Sequence, residues 1–145
     1  MPESESESDQ RFFFLLQRAA HRLRLDADRR CLAAAGITTA QLGALFAVRD
    51  RPGVTQRQLA GDLGLRESAV TSLVARLTAA GLLTRGAHPS EHRAVVLELS
   101  DAGRTALCAA QPEIDRFNAE LRAGLGEEDF TRMLAVLRTL AHDVQ

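Results

Sequence analysis

The sequence predicts a mainly helical chain with one small β-hairpin, and three observations carry that reading. Apolar residues recur at alternating spacings of three and four through long stretches, the period of one helix face. Two Thr-x-x-Gln capping boxes, Thr38 to Gln41 and Thr55 to Gln58, mark helix starts. Strand-like composition is confined to 82–86 and 94–99, on either side of a loop.

The elements follow in order. Residues 1–9 alternate Ser with acids and carry a charge of −4, which reads as a disordered acidic tail. From Phe12 the pattern is helical, with Phe13, Leu16, Ala20, Leu23 and Ala27 on a heptad-like seam and Gly36 as the stop. Thr38 starts the next helix, with Ile37 and Leu42 placed as a hydrophobic staple. After the turn Arg51-Pro52-Gly53, Thr55 starts a short helix that runs to about Leu63. Another helix extends from Glu67 to Ala80 and stops at Gly81. Only the hairpin that follows is expected to be β. Ser100 caps a long helix with Leu107, Ala110, Ile114, Phe117 and Leu121 on one face. Pro112 should kink it, and Gly124 with Gly126 should end it. A last helix places Phe130, Met133, Leu134, Leu137, Leu140, Ala141 and Val144 on one face.

Composition narrows the function classes. At 145 residues, 46% hydrophobic and 26% charged, the chain can bury a core of its own. No apolar run approaches a membrane span, and the acidic start is unlike a secretory signal, so a cytoplasmic protein is expected. The net charge is −1, but segments 10–48 and 49–104 carry +4 and +2, against −3 over 105–145. All 18 basic residues are Arg, the side chain suited to bidentate phosphate and guanine contacts. Cys31 and Cys108 are too far apart for a metal knuckle and read as small buried or half-buried thiols.

The two helices around Gly64 carry the main chemistry. A helix-turn-helix packs two helices steeply across a tight turn. Ala60 supplies the small residue at the crossing, Gly64 the residue that tolerates positive φ, and Val70 the inward β-branched side chain. Leu59, Leu63, Leu73 and Leu77 complete a small core. With Val70, Leu73, Val74 and Leu77 inward, the second helix turns Ser68, Thr71, Ser72 and Arg76 outward. Short polar groups followed by a long cation suit base edges and then a phosphate.

The loop after that unit contains His88-Pro89-Ser90-Glu91-His92, an H-x-x-E-H pattern found in zinc peptidases. A zinc hydrolase through His88, Glu91 and His92 needs both His on one helix face. Here the following residues are β-type, and the loop reads as the tip of a hairpin.

Residues 37–104 resemble the winged-helix core of the MarR family of bacterial transcription regulators. The similarity rests on ITTAQL, VTQRQLAGDLGL, SAVTSLVARLTAAGLLTR and EHRAVVLELSDAGR. The resemblance implies a winged helix-turn-helix flanked by N- and C-terminal dimerisation helices, with Phe12-Phe13-Phe14 in the dimer core. It implies a wing arginine in the minor groove, at Arg93. Two departures are Arg66, where a polar or acidic cap is usual, and Ser72, where a basic residue is common. The wing tip reads Glu91-His92-Arg93 in place of the usual Asp-Arg-Arg. Family members that sense peroxides carry a Cys near the start of the first helix, where this chain has phenylalanines. Others bind small aromatic or phenolic ligands between the dimerisation and DNA-binding parts.

The expected organisation is a tail at 1–9, a dimerisation helix at 10–36, a DNA-binding domain at 37–104 and dimerisation helices at 105–145. The expected function is a non-enzymatic, homodimeric repressor on a palindromic duplex operator, released by a small ligand and needing no cofactor or metal. DNA contacts are expected from Thr55, Gln56, Arg57, Arg66, Ser68, Thr71, Ser72, Arg76, Arg85, His92 and Arg93. Phe12, Phe13 and Leu16 are the candidate ligand-pocket residues. A winged-helix protein-interaction module that binds no DNA is the alternative.

Overall fold

The computed structural model describes residues 5–143, with side chains from 11 to 142. The order is α1 (Glu5–Ala35), α2 (Thr39–Asp50), β1 (Val54–Thr55), α3 (Gln56–Leu63), α4 (Glu67–Ala79), β2 (Leu83–Ala87), β3 (Val95–Leu99), α5 (Asp101–Leu125) and α6 (Glu127–Asp143). Among the described residues no single helix is long and apolar enough to cross a membrane.

Local chemistry sets the helix ends. Thr38 Oγ1 accepts the Gln41 amide at 3.2 Å, while Gln41 Oε1 accepts the Thr38 amide at 2.9 Å. Thr55 and Gln58 repeat the exchange at 3.1 Å in each direction, so both capping boxes form. Helices α3 and α4 end by one device. The Leu65 amide donates to the Ala60 carbonyl and the Gly64 amide to the Gly61 carbonyl; Leu82 to Leu77 and Gly81 to Thr78 repeat the pattern. These are Schellman closures, which need a left-handed residue; Gly64 has φ 64° and Gly81 has φ 74°. Arg66, at the start of α4, makes no side-chain cap.

The core gathers Ile37, Leu45, Val48, Leu59, Val70, Val74, Leu77, Leu83 and Leu97 between α2, α3, α4 and the sheet. Ala60 is buried at the α3–α4 crossing, as its size allows. The sheet corrects the sequence reading: it has three strands in the order β1-β3-β2, all antiparallel. Val54 pairs with Leu97 and Thr55 with Val96. A two-residue strand has no periodicity to detect, and its sequence is also the staple and cap of α3.

Other boundaries differ. Residues 5–9, expected as tail, form the first turns of α1. Once a helix is nucleated, extension adds one hydrogen bond per residue fixed, so Ser and Glu are drawn in. Residues 1–4 and Val144 lie outside the described residues. Pro112 sits inside an unbroken α5, and Gly124 is helical; only Gly126, with φ 87°, ends that helix. The 104/105 boundary therefore falls within one continuous helix.

Helix α5 is fastened to the hairpin base. Ser100 Oγ donates to the Gly81 carbonyl and accepts the Gly103 amide at 3.0 Å, and the Ser100 amide donates to the Leu82 carbonyl at 3.2 Å. A Cβ on Gly103 would overlap the Leu82 carbonyl oxygen, so glycine sets the approach of helix and strand. The C-terminal half of α1 packs on α5 through buried Ala27 and Cys31. Arg30 joins these helices by pairing with Glu120 and lying 5.8 Å from the Phe117 ring centre. Asp28 Oδ1 accepts the Thr39 amide at 2.7 Å and the Thr39 hydroxyl at 2.6 Å, tying α1 to the first turn of α2.

Two apolar stretches find no cover among the described residues. Phe12, Phe13, Phe14, Leu15 and Leu16 on α1 are 42–64% exposed, and Met133, Leu134, Val136, Leu137 and Leu140 on α6 are 37–53% exposed.

Candidate nucleic-acid interface

Helix α4 buries Val70, Val74 and Leu77 and turns Ser68, Thr71, Ser72 and Arg76 to solvent, the division its spacing dictates. The Thr71 hydroxyl donates to the Glu67 carbonyl at 2.8 Å, so its oxygen faces solvent as an acceptor. Thr55 spends its hydroxyl oxygen on the α3 cap. Its hydroxyl hydrogen stays available to donate, with Gln56 and Arg57 beside it on the first turn of α3.

The wing has a defined geometry. Strands β2 and β3 pair from Leu83↔Leu99 to Ala87↔Val95, with exposed Arg85 opposite Leu97. At the tip the His88 amide donates to the Ala94 carbonyl at 3.1 Å, closing residues 88–94 into a loop. Within it the Ala94 amide donates to the Glu91 carbonyl at 3.2 Å. That closes a four-residue turn with His92 and Arg93 at its corners. Both are exposed.

The H-x-x-E-H residues are thus loop, not helix. His88 Nδ1 accepts the amides of Ser90 at 3.1 Å and Glu91 at 3.0 Å. That lone pair holds the turn. Among the described residues no cluster of three or more His, Cys, Asp or Glu is placed to hold a metal ion. The His88 cap was missed in the sequence, because histidine is not among the residues whose side chains mark a turn.

The arginines of this surface are unpaired. Arg57, Arg66, Arg76, Arg85 and Arg93 are all exposed, and among the described residues none has a carboxylate partner. Elsewhere Arg29, Arg30, Arg49, Arg51, Arg104, Arg116, Arg122 and Arg132 each pair with Asp or Glu, while Arg18, Arg22 and Arg24 on α1 and Arg138 on α6 also lack a carboxylate partner among the described residues. Asp62, on the same motif, is held by Arg51 at 3.0 Å. Free guanidinium groups around one helix and one hairpin offer phosphate contacts without first breaking an ion pair.

A cleft of about 540 Å³ lies between the end of α2 and α5, lined by Arg49, Arg104, Leu107, Cys108, Gln111 and Pro112. Phe12, Phe13 and Leu16 do not line it; they stand on the uncovered face of α1. Cys108 is exposed at the cleft, which corrects the expectation of a buried or half-buried thiol. Cys31 is fully buried, and burial pushes its thiol pKa up, with Asp28 and Glu113 adding to the shift. A raised pKa opposes thiolate chemistry there.

Known proteins share this arrangement. The family model for the MarR family matches residues 35–94. The transcriptional repressor CouR, solved bound to a 23-mer DNA duplex, is 28% identical, with 98% of this chain and 100% of that chain covered and a TM-score of 0.85. The PcaV transcriptional regulator of Streptomyces coelicolor, solved with its natural ligand, is 26% identical over 88% of this chain and 92% of that one, with a TM-score of 0.76. An HTH-type transcriptional regulator of Bacillus subtilis is 24% identical over 112 residues, 77% of this chain and 68% of that protein. The motif built around Ala60, Gly64 and Val70, the hairpin after it and the flanking helices thus follow the plan of MarR-family winged helix-turn-helix transcription regulators, to which this chain is similar in sequence over residues 35–94 and in fold over nearly its whole length.

Proposed function

We propose that two copies of this chain bind a palindromic duplex operator in the cytoplasm and repress transcription until a small aromatic or phenolic ligand weakens the complex. One observation carries the DNA-binding reading: five exposed arginines without carboxylate partners surround α4 and the wing. In this reading Ser68, Thr71 and Ser72 enter the major groove, and Arg93 with His92 enters the minor groove. Arg57, Arg66, Arg76 and Arg85 reach phosphates, and Gln56 supports the first turn of α3 at the backbone.

The homodimer is supported by the uncovered faces of α1 and α6. The chain exposes 10385 Å². A compact monomer of 15.8 kDa exposes roughly 7,300 Å². The excess, roughly 3,000 Å² per chain and so about 6,000 Å² over two copies, leaves enough surface for the largest obligate interfaces. Phe12, Phe13 and Leu16 then belong to the seam between copies, and line a ligand site only where that seam meets the cleft. The ligand reading rests on the α2–α5 cleft, whose volume suits a small molecule, and on the ligand-bound relatives PcaV and CouR, the latter also solved with p-coumaroyl-CoA. A ligand seated between α2 and α5 would alter the tilt of α4 relative to its partner and so the spacing of the two recognition helices. A protein-interaction module without DNA binding would leave the five free arginines without a use.

The test is selection of duplexes from a random pool by the full chain, followed by affinity measurement against salt. Recovery of a palindrome, with affinity falling steeply as salt rises, is expected. No duplex bound at low salt would sink the DNA reading.

A further inference from the structure

We propose that His88 is the positioning residue of the wing: its neutral imidazole holds the turn that presents Arg93 to DNA. The inference rests on the DNA-binding reading above. The motif that resembled a zinc site contains a side chain with another task. His88 Nδ1 lies 3.1 Å from the Ser90 amide and 3.0 Å from the Glu91 amide, with Ser90 Oγ at 3.3 Å. Backbone amides only donate, so Nδ1 carries the lone pair and the proton is on Nε2. The ring thus plays the part of an Asx side chain, capping the amides two and three residues on.

The consequence reaches Arg93 through one residue. Glu91 has its amide fixed by His88 and its carbonyl fixed by the Ala94 amide at 3.2 Å. Glu91 is therefore both the end of the capped turn and the first residue of the turn that carries His92 and Arg93. The His88 amide, bonded to the Ala94 carbonyl, anchors the cap to the last paired residues of β2 and β3. Without the ring the amides of Ser90 and Glu91 turn to water, and the tip samples many conformations. Arg93 then reaches the groove only after ordering the loop at binding, which costs affinity.

The experiment uses the full chain and the duplex selected by the wild-type protein. His88→Ala is expected to weaken binding by about threefold to tenfold, the value of one or two hydrogen bonds. Its melting temperature should stay unchanged, because the tip lies outside the core. His88→Asn, whose Oδ1 can accept the same amides, should restore affinity to within about twofold. In an Arg93→Ala background, His88→Ala should add less than about twofold, because its effect passes through Arg93. Nitrogen NMR of the free protein should find Nδ1 unprotonated. An alanine variant that binds like wild type, an asparagine variant as weak as alanine, full additivity with Arg93→Ala, or a protonated Nδ1 would overturn the proposal. Failure of the wild-type chain to bind any duplex would instead remove the DNA reading, and with it the role of the cap in binding.

Discussion

At the residue scale, single side chains do separable jobs. Arg93 stands at a turn corner, exposed and without a carboxylate, so nothing in the fold depends on its charge. Arg93→Ala should lower duplex affinity by about 1–2 kcal/mol while melting stays within about 1 °C of wild type; one lost charge-assisted contact has that size. Unchanged affinity in a direct titration would remove Arg93 from the interface. The glycines give a matched pair. Gly103 faces the Leu82 carbonyl, whereas Gly61, in the middle of α3, has open space around its Cα. Alanine in place of either gains up to about 1 kcal/mol of helix propensity. At Gly61 nothing opposes the gain, so Gly61→Ala should raise the melting temperature. At Gly103 the new methyl meets backbone that cannot rotate away, and overpacking of about 1–3 kcal/mol outweighs the gain. Thermal melts of the two variants should therefore shift in opposite directions, and a shared direction would contradict the packing at the wing base.

At the scale of elements, caps and ties fix how helices meet. Thr55→Ala removes one half of the α3 box and should cost about 1 kcal/mol in chemical denaturation. The tie between α1 and α2 is sensitive to acid. Burial raises the Asp28 pKa, but the side-chain and backbone hydrogen bonds from Thr39, with Arg24 nearby, outweigh it and hold the carboxyl below its usual value. A lowered folded value means the stabilisation is complete above the unfolded pKa of roughly 3.9 and is lost as pH falls through the folded value. Wild-type stability should therefore drop below about pH 4 by more than that of Asp28→Asn, and identical acid profiles would contradict the tie. Long elements with periodic apolar faces and two-sided caps were legible in the sequence, because period and cap are local properties. The strand β1 was not, since two residues that also cap a helix carry no pattern of their own. The outward face of α4 could be read from its inward partners Val70, Val74 and Leu77. The role of His88 could not, because it depends on where a turn points a lone pair.

At the scale of the whole molecule, one chain leaves its two end helices half solvated. The apolar seams on α1 and α6 were visible as spacing, but what covers them lies outside a single chain. Leu137→Asp places a charge on the uncovered face of α6 and should convert a sedimenting dimer into monomer, with loss of duplex affinity. A wild-type chain that sediments as monomer at micromolar concentration would contradict the assembly. Two protomers with five free arginines each would give a logarithmic salt slope as steep as about −9 if every guanidinium neutralised one phosphate. The most direct measurement is that slope, taken with the selected duplex for the wild-type chain and for Arg76→Ala. A steep slope that becomes shallower by about two per dimer in the variant is expected from phosphate contact by α4. A flat slope, or one that Arg76→Ala leaves unchanged, would contradict DNA binding through the arginines around α4 and the wing.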